Sequence, residues 1–495
     1  MNNRDKKENN QIRPPVVVVL GHVDHGKTTL LDYIRKTKVT ETEAGGITQH
    51  IAAYQIEHNG KKITFIDTPG HEAFDKMRSR GAKIADIAML VIAAEESVKP
   101  QTLESINYIN EAKIPFIVAL NKIDKPEANQ EKVKKDLSQH NVLIEEWGGK
   151  VPLIPVSAKT GNGVPELLEM IQLVAEMEDL QPEQNKSFEG VLIEAFMDKE
   201  RGPTVTLISK KGVLRKGDKF FCGRTNGSAK IIEDFQGNTM ETIFPSMPAR
   251  IIGLSKVPEI GEKCFLGVNE RTDIQNKKTP TPFLLIGNPG SDKTLHMVLK
   301  ADANGSLEAL LSSLEENKSQ EVAIEILKTE IGEINEMDVK MARAGEAIIA
   351  SFNLDTPADI QNLAVKNDVK ILSGNIIYEL IDQIRKEMAL LLEVKNVRTK
   401  IGELKVLAIF RTEKQRMIVG GKITDGFMRN RAEIEVLRGG EMIAKGKIIQ
   451  LKKEKKAAEQ VDKPNEAGIL FEGDPVIKEG DTLGAYIEEK TKKSL

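Results

Sequence analysis

Gly21-His22-Val23-Asp24-His25-Gly26-Lys27-Thr28 is the stretch whose residue types and spacing could do chemistry most directly. Two glycines frame four residues and are followed by an amine and a hydroxyl, the pattern G-x-x-x-x-G-K-[ST]. Such a loop turns several backbone N–H groups inward, and the helix that follows it places the positive end of its dipole behind them. Phosphate groups of a nucleotide are the ligand this arrangement suits. Lys27 is expected to reach the β- and γ-phosphates and Thr28 to ligate Mg²⁺, with Thr29 continuing the cradle.

The flanking elements agree with that reading. Val16–Leu20 is an unbroken β-branched and aliphatic run, the signature of a strand buried on both faces. Leu30, Leu31 and Ile34 have helical spacing, so strand, loop and helix follow in the required order. Further on, Asn59-Gly60 between two alternating segments predicts a hairpin of Ile51–Glu57 with Lys62–Asp67. Asp67 then closes a strand beside the phosphate loop, where a carboxylate can hold Mg²⁺ through water, and Gly70 leaves an N–H free for a γ-phosphate.

Two more strand ends carry the base. Asp86–Ala93 reads as a buried strand, a helix passes through Ile106–Asn110, and the strand Phe116–Leu120 delivers Asn121-Lys122-Ile123-Asp124. Ligands of open α/β sheets bind at such carboxyl ends. The Asp124 carboxylate can accept from the N1–H and exocyclic amine of guanine, whereas adenine presents the wrong pattern. A last strand, Ile154–Val156, opens into Ser157-Ala158-Lys159, whose backbone N–H can meet the guanine carbonyl. The order of the four segments points to a guanine nucleotide.

The whole chain bounds the remaining possibilities. Its 495 residues, 40% hydrophobic and 29% charged, describe an ordinary globular protein of several domains. Cys222 and Cys264 are too few for a disulfide framework and lack metal-ligand spacing, so a reducing cytoplasmic setting is expected. No apolar run reaches membrane-spanning length, and residues 1–12 read as a polar tail. Net charge is −3, yet residues 397–495 hold 21 Lys and Arg against 16 Asp and Glu, a weak basic bias at one end.

After a polar linker near Pro182, short alternating segments broken by Gly and Asn turns predict a small antiparallel barrel. Beyond a second linker, strand-like LHMVLKA, VAIEIL, AIIASF and VKIL alternate with helical stretches, predicting a small α/β sandwich with a parallel sheet and a structural role. Ile377, Leu380, Ile381, Ile384, Met388 and Leu391 line one face of a long helix. Gly212–Asp218 followed by Ala229-Lys230-Ile231-Ile232 is faintly repeated by Gly421–Gly426 followed by Gly446-Lys447-Ile448-Ile449, so a second barrel is expected.

GHVDHGKTTLLD, EAGGITQHI, DTPGHEAF, NKIDKP and SAKTGNGVPELLEM together resemble the translational GTPases, and within them the family of bacterial translation initiation factor two. The resemblance extends over nearly the whole chain and starts without the long N-terminal extension common in the family. It implies a multi-domain α/β plus β fold: a polar tail (1–12), a doubly wound G domain (13–180), an antiparallel β-barrel (186–271), an α/β/α sandwich (282–375), a connecting helix (376–394) and a C-terminal β-barrel (397–495). Thr48 matches the switch threonine that ligates Mg²⁺, and His71 the catalytic histidine that orients the attacking water. Val23 and Ile47 match an apolar gate around that histidine, and Asp24 a charge-compensating carboxylate.

In the C-terminal barrel the resemblance implies a site for the end of initiator tRNA, but the residues depart from the pattern. Gly421 stands where a cysteine is usual, and Glu466-Ala467-Gly468 where Glu-Cys-Gly is usual; Glu454 replaces an aromatic among Lys452, Lys453, Lys455 and Lys456. The expectation is retained tRNA contact with weaker preference for the formyl-methionyl group. The function implied is ribosome-stimulated hydrolysis of GTP to GDP by a monomeric initiation factor that positions formyl-methionyl initiator tRNA and promotes joining of both ribosomal subunits, away from any membrane. An elongation-type or tRNA-delivery GTPase, or a slow GTP-gated ribosome-binding scaffold, are the alternatives.

Overall fold

The computed structural model describes residues 13–37, 47–181, 186–268, 284–291, 293–392, 395–413, 415–454, 456–474 and 476–491. The polar tail and the linker positions around Pro182 and 272–281 lie outside them. Two compact units divide the chain, residues 1–388 and 389–495.

The first unit begins with a six-stranded sheet whose central strand is the aliphatic run, β1 (Val16–Gly21), buried at every position. Around it stand β2 (Ala52–His58), β3 (Lys61–Asp67), β4 (Ile87–Ala93), β5 (Phe116–Asn121) and β6 (Leu153–Pro155), in the order β2-β3-β1-β4-β5-β6. All neighbours are parallel except β2, which returns antiparallel from β3 through the two-residue turn Asn59-Gly60, with His58 opposite Lys61. Both turn residues have positive φ, 49° and 75°, as the tight hairpin turn requires. Helices α1 (Lys27–Arg35), α2 (Asp75–Ile84), α3 (Pro100–Ala112), α4 (Gln130–Gln139) and α5 (Val164–Met177) complete this α/β layer. One face of the sheet packs Val17, Val19, Phe65, Met89 and Ile117 against Leu30, Leu31, Leu167 and Ile171 of the helices.

Residues 187–268 form a closed antiparallel barrel of six strands, Lys219–Cys222, Thr225–Glu233, Pro248–Leu254, Gly202–Lys211, Glu189–Asp198 and Lys263–Leu266 in ring order. Its seam pairs Cys222 directly with Cys264, and the two are joined by a disulfide inside the core. Two cysteines are too few for a disulfide framework and suggest a reducing setting, yet they form this one bond: 42 residues separate them in sequence, and closure of the barrel makes them neighbours. The barrel is seated on the sheet through Ser246, whose hydroxyl accepts from Arg13 at 3.0 Å and whose carbonyl accepts from the Thr64 hydroxyl at 2.6 Å, and through Lys210, 3.8 Å from Asp86; the Asp86 carboxylate also accepts from Arg13 at 2.6 and 2.7 Å and from the Val16 amide at 2.9 Å. Burial works against the Asp86 charge, but Arg13 and Lys210 outweigh it and hold the carboxyl below its ordinary value.

A second mixed sheet follows, with strands Leu284–Ile286, Val322–Ile331, Lys293–Ala301, Ile348–Phe352 and Ile371–Gly374 in that spatial order, and helices α6 (Asn304–Glu316), α7 (Glu336–Ala344) and α8 (Ala358–Lys366). Four strands are parallel, as the alternating pattern predicts, whereas the three-residue edge strand Leu284–Ile286 is antiparallel. The long helix, α9 (Ile377–Leu391), buries Ile377, Leu380, Ile381, Ile384 and Met388. Residues 393 and 394, the end of the expected connecting helix, lie outside the described residues.

The second unit is again a ring. Strands Lys395–Glu413, Thr482–Thr491, Glu433–Arg438, Glu441–Lys453, Glu466–Gly473 and Arg416–Arg429 pair in turn, and Arg416–Arg429 pairs back with Lys395–Glu413. Its core gathers Leu404, Val419, Ile434, Ile448, Ile469, Phe471 and Leu483. Among the described residues no helix is long and apolar enough to cross a membrane.

Candidate nucleotide site

Loops leaving the carboxyl ends of β1, β3, β5 and β6 converge, because parallel strands in this order present those ends along one edge. Gly21 has φ 140°, and a Cβ there would lie 2.3 Å from the Val91 carbonyl oxygen, so only glycine lets the loop leave β1 beside β4. After a short turn at Val23–His25, Gly26 in the left-handed region starts α1. The N–H groups of that first turn face the loop's concavity.

Asn121 ties the loops together. Its amide nitrogen donates to His25 O at 2.9 Å, and its Oδ1 accepts from the Ala158 amide at 3.0 Å. Ser157 Oγ donates to Asp124 Oδ1 at 2.6 Å, which orients the carboxylate and holds it below the ordinary range. Lys122 reaches away, to Glu95 at 2.7 Å. His25 is buried with Nδ1 3.2 Å from Val91 O, and burial lowers it to about 3, so it stays neutral. Asp24, Thr29 and Lys159 are exposed.

Lys27 is buried and donates to the loop carbonyls of Gly21 at 2.9 Å and His22 at 2.7 Å. Burial lowers its ammonium to about 7, against the attraction of Asp67. Asp67 pairs with Val19 across the sheet, which brings the strand end to the loop. Thr28 Oγ1 lies 2.8 Å from Thr48 Oγ1, so the two hydroxyls singled out from separate motifs meet. A Cβ on Gly70 would lie 2.3 Å from Lys27 Nζ and 2.9 Å from Val23 Cα; the backbone of this turn closes directly over the loop. Ile47 opens the segment carrying Thr48 and is partly buried.

His71 is half-exposed beside this turn. Its Nδ1 accepts the Glu72 amide at 3.0 Å and is in hydrogen-bond contact with the Tyr378 hydroxyl of α9, whose ring lies 4.0 Å from the imidazole, centroid to centroid. Burial lowers the imidazole and raises the phenol, so both are neutral at physiological pH.

Family comparisons agree with this geometry. The family described as elongation factor Tu GTP binding domain matches residues 13–177, that of elongation factor G domain 2 matches 187–265, and that of translation-initiation factor 2 matches 273–385. A translation initiation factor IF-2 of Desulforamulus reducens is 42% identical over 98% of this chain and 51% of its own length. One from Caldanaerobacter subterraneus is also 42% identical, over 98% of this chain and 71% of its own. The chain belongs to the IF-2 family. It spans about half the length of the first relative. Among solved structures, GDP-bound aIF5B from Aeropyrum pernix is similar at 26% identity and a TM-score of 0.50, covering 96% of this chain and 92% of that one.

Set beside the family pattern, the structure adds residues that spacing did not single out. Arg78 on α2 is fully buried; its guanidinium donates to Pro69 O at 3.4 Å and to His71 O, and meets Asp75 and Glu104 each at 3.2 Å. Gln49 and Tyr378 join segments more than 300 residues apart in the chain, through contacts no local pattern encodes. In the C-terminal unit Gly421 faces Ala467 across two strands, and Lys422 faces Glu466. Gly421 and Ala467 are buried, Ala467 within the core, whereas Glu466, Lys452 and Lys453 are exposed and Gly468 pairs with Lys452.

Proposed function

We propose that this chain is a GTP-hydrolysing translation initiation factor that works on the ribosome, and that Gly21 to Thr29, Asp67, Gly70, Asn121, Asp124 and Ser157 to Lys159 form its nucleotide site. The observation that carries this reading is that two adjacent loop residues each meet a separate motif, Lys27 the Gly70 turn and Thr28 the Thr48 hydroxyl. Loop amides and the Lys27 ammonium take the phosphate charge, and Asp124 reads the guanine edge. The donor set around Thr28, Thr48 and Asp67 is all oxygen, which suits Mg²⁺; among the described residues no cluster of three His, Cys, Asp or Glu side chains competes for a softer metal. When bound there, Mg²⁺ neutralises charge on the β- and γ-phosphates.

His71 orients the attacking water in line with the leaving group. Its lowered pKa keeps the imidazole neutral, with one ring nitrogen donating and the other accepting, so it can direct a water without adding positive charge. Unassisted turnover is slow, on the order of 10⁻⁴ per second as in GTPases without a stimulating partner. Ribosomal subunits supply that partner, the monomeric factor recruits initiator tRNA, and its C-terminal unit meets the acceptor end through the exposed face around Lys452, Lys453, Glu466 and Gly468.

His71→Ala tests the division between binding and chemistry. GTP affinity is expected to stay within about twofold while ribosome-stimulated hydrolysis falls by at least 10²-fold. Unchanged stimulated turnover would remove His71 from the reaction.

A further inference from the structure

The two segments that flank the phosphate site are both held by one turn of one helix. Thr48 turns its hydroxyl to Thr28, and the next residue, Gln49, turns the other way. The Gln49 amide nitrogen donates to Asn375 O at 2.8 Å, and its oxygen accepts from the Ile377 amide at 3.3 Å, capping a free N–H at the start of α9. The second segment repeats the pattern. Gly70 lies over Lys27, and its neighbour His71 is engaged by Tyr378, the next residue of the same helical turn.

We propose that Tyr378 is a latch on His71, a positioning residue that holds the imidazole at rest until the first turn of α9 withdraws. The proposal rests on the assignment of His71 to water orientation. Nδ1 accepts the Glu72 amide and therefore carries no proton, so the phenol is the donor in the second bond. Ring packing at 4.0 Å, with the planes tilted by 39°, adds a second tie, because rings in contact resist the swing that a bond alone permits. Hydroxyl and ring thus fix the imidazole's direction from one side, and each tie that is lost frees it further to turn toward the γ-phosphate. Gln49 makes the release concerted: a shift of α9 that strips the Ile377 cap also carries Tyr378 away.

Ribosome-free GTP hydrolysis by the full chain tests this, with kcat and KM measured separately for Tyr378→Phe and Tyr378→Ala. Loss of the hydroxyl alone is expected to raise kcat about threefold, and loss of the ring as well about tenfold, with KM for GTP unchanged. Both rises vanish when combined with His71→Ala. A structural role would instead lower the melting temperature without raising kcat. The latch is overturned if Tyr378→Phe, folded as judged by its melting curve, hydrolyses GTP at the parent rate, or if the rise persists without His71. His71→Ala with ribosomes separates the two readings. If stimulated hydrolysis is lost there while the tyrosine variants match the parent, the latch alone fails; if it is retained, the role of His71 fails first.

Discussion

Glycine does opposite work in the two units. In the phosphate loop a Cβ at Gly21 would strike the Val91 carbonyl, and the bareness of the chain lets backbone amides gather around a ligand. At Gly421 a Cβ would lie 2.3 Å from both Leu404 Cδ2 and the Lys405 carbonyl oxygen, so the space is already filled by the barrel itself. The first glycine makes room for something foreign; the second makes room for the fold. A substitution at that inward position therefore changes packing before it changes recognition.

The largest effect is expected where the nucleotide is read. Asp124→Asn removes the charged acceptor that Ser157 orients, and GTP affinity is expected to fall about 10²-fold while xanthosine triphosphate gains affinity. Equilibrium titration with both nucleotides checks the reversal. A smaller effect lies in the second unit. Gly421→Cys, the residue that the resemblance leads one to expect there, is expected to destabilise that unit by about 1–3 kcal/mol, because the Lys405 carbonyl cannot yield as a side chain would. Denaturant unfolding measures it, and an unchanged midpoint would put the side chain on the outer face and erase the contrast between the two glycines.

The smallest effect is electrostatic. Lys452 and Lys453 are exposed on the strand that pairs with Glu466–Gly473, and phosphate contacts made there carry no sequence information. Replacing both by Gln is expected to flatten the salt dependence of tRNA binding by a slope of about 1.5, with little loss of preference between formylated and unformylated ends. Titrations across a salt series measure the slope.

Local chemistry made much of the candidate site's geometry readable. Gly21 to Thr28, the Asn59-Gly60 turn and Asn121 to Asp124 lie within short windows, each placed by the strand beside it, so spacing alone carries their meaning. The barrels were legible as alternating segments. What could not be read depends on closure and docking. The Cys222–Cys264 bond needs a completed ring, the edge strand Leu284–Ile286 is too short to show a period, and the inward direction of Gly421 depends on register across two strands. Tyr378 looked like one more residue of an amphipathic helix, since nothing near it in sequence reports the histidine it meets.

Arg78 has a mechanical consequence. Its guanidinium grips the carbonyls on both sides of Gly70, at Pro69 and His71, while its own backbone belongs to α2. The turn and the helix are thereby riveted into one stiff piece. A push on the Gly70 peptide cannot be absorbed by bending the loop; it becomes torque on α2, felt two residues along where Arg80 holds Glu308 of α6 at 3.0 Å. A lysine in that place would leave a hinge where the molecule has a crank, since a single ammonium lacks the planar fork that spans two carbonyls and two carboxylates at once.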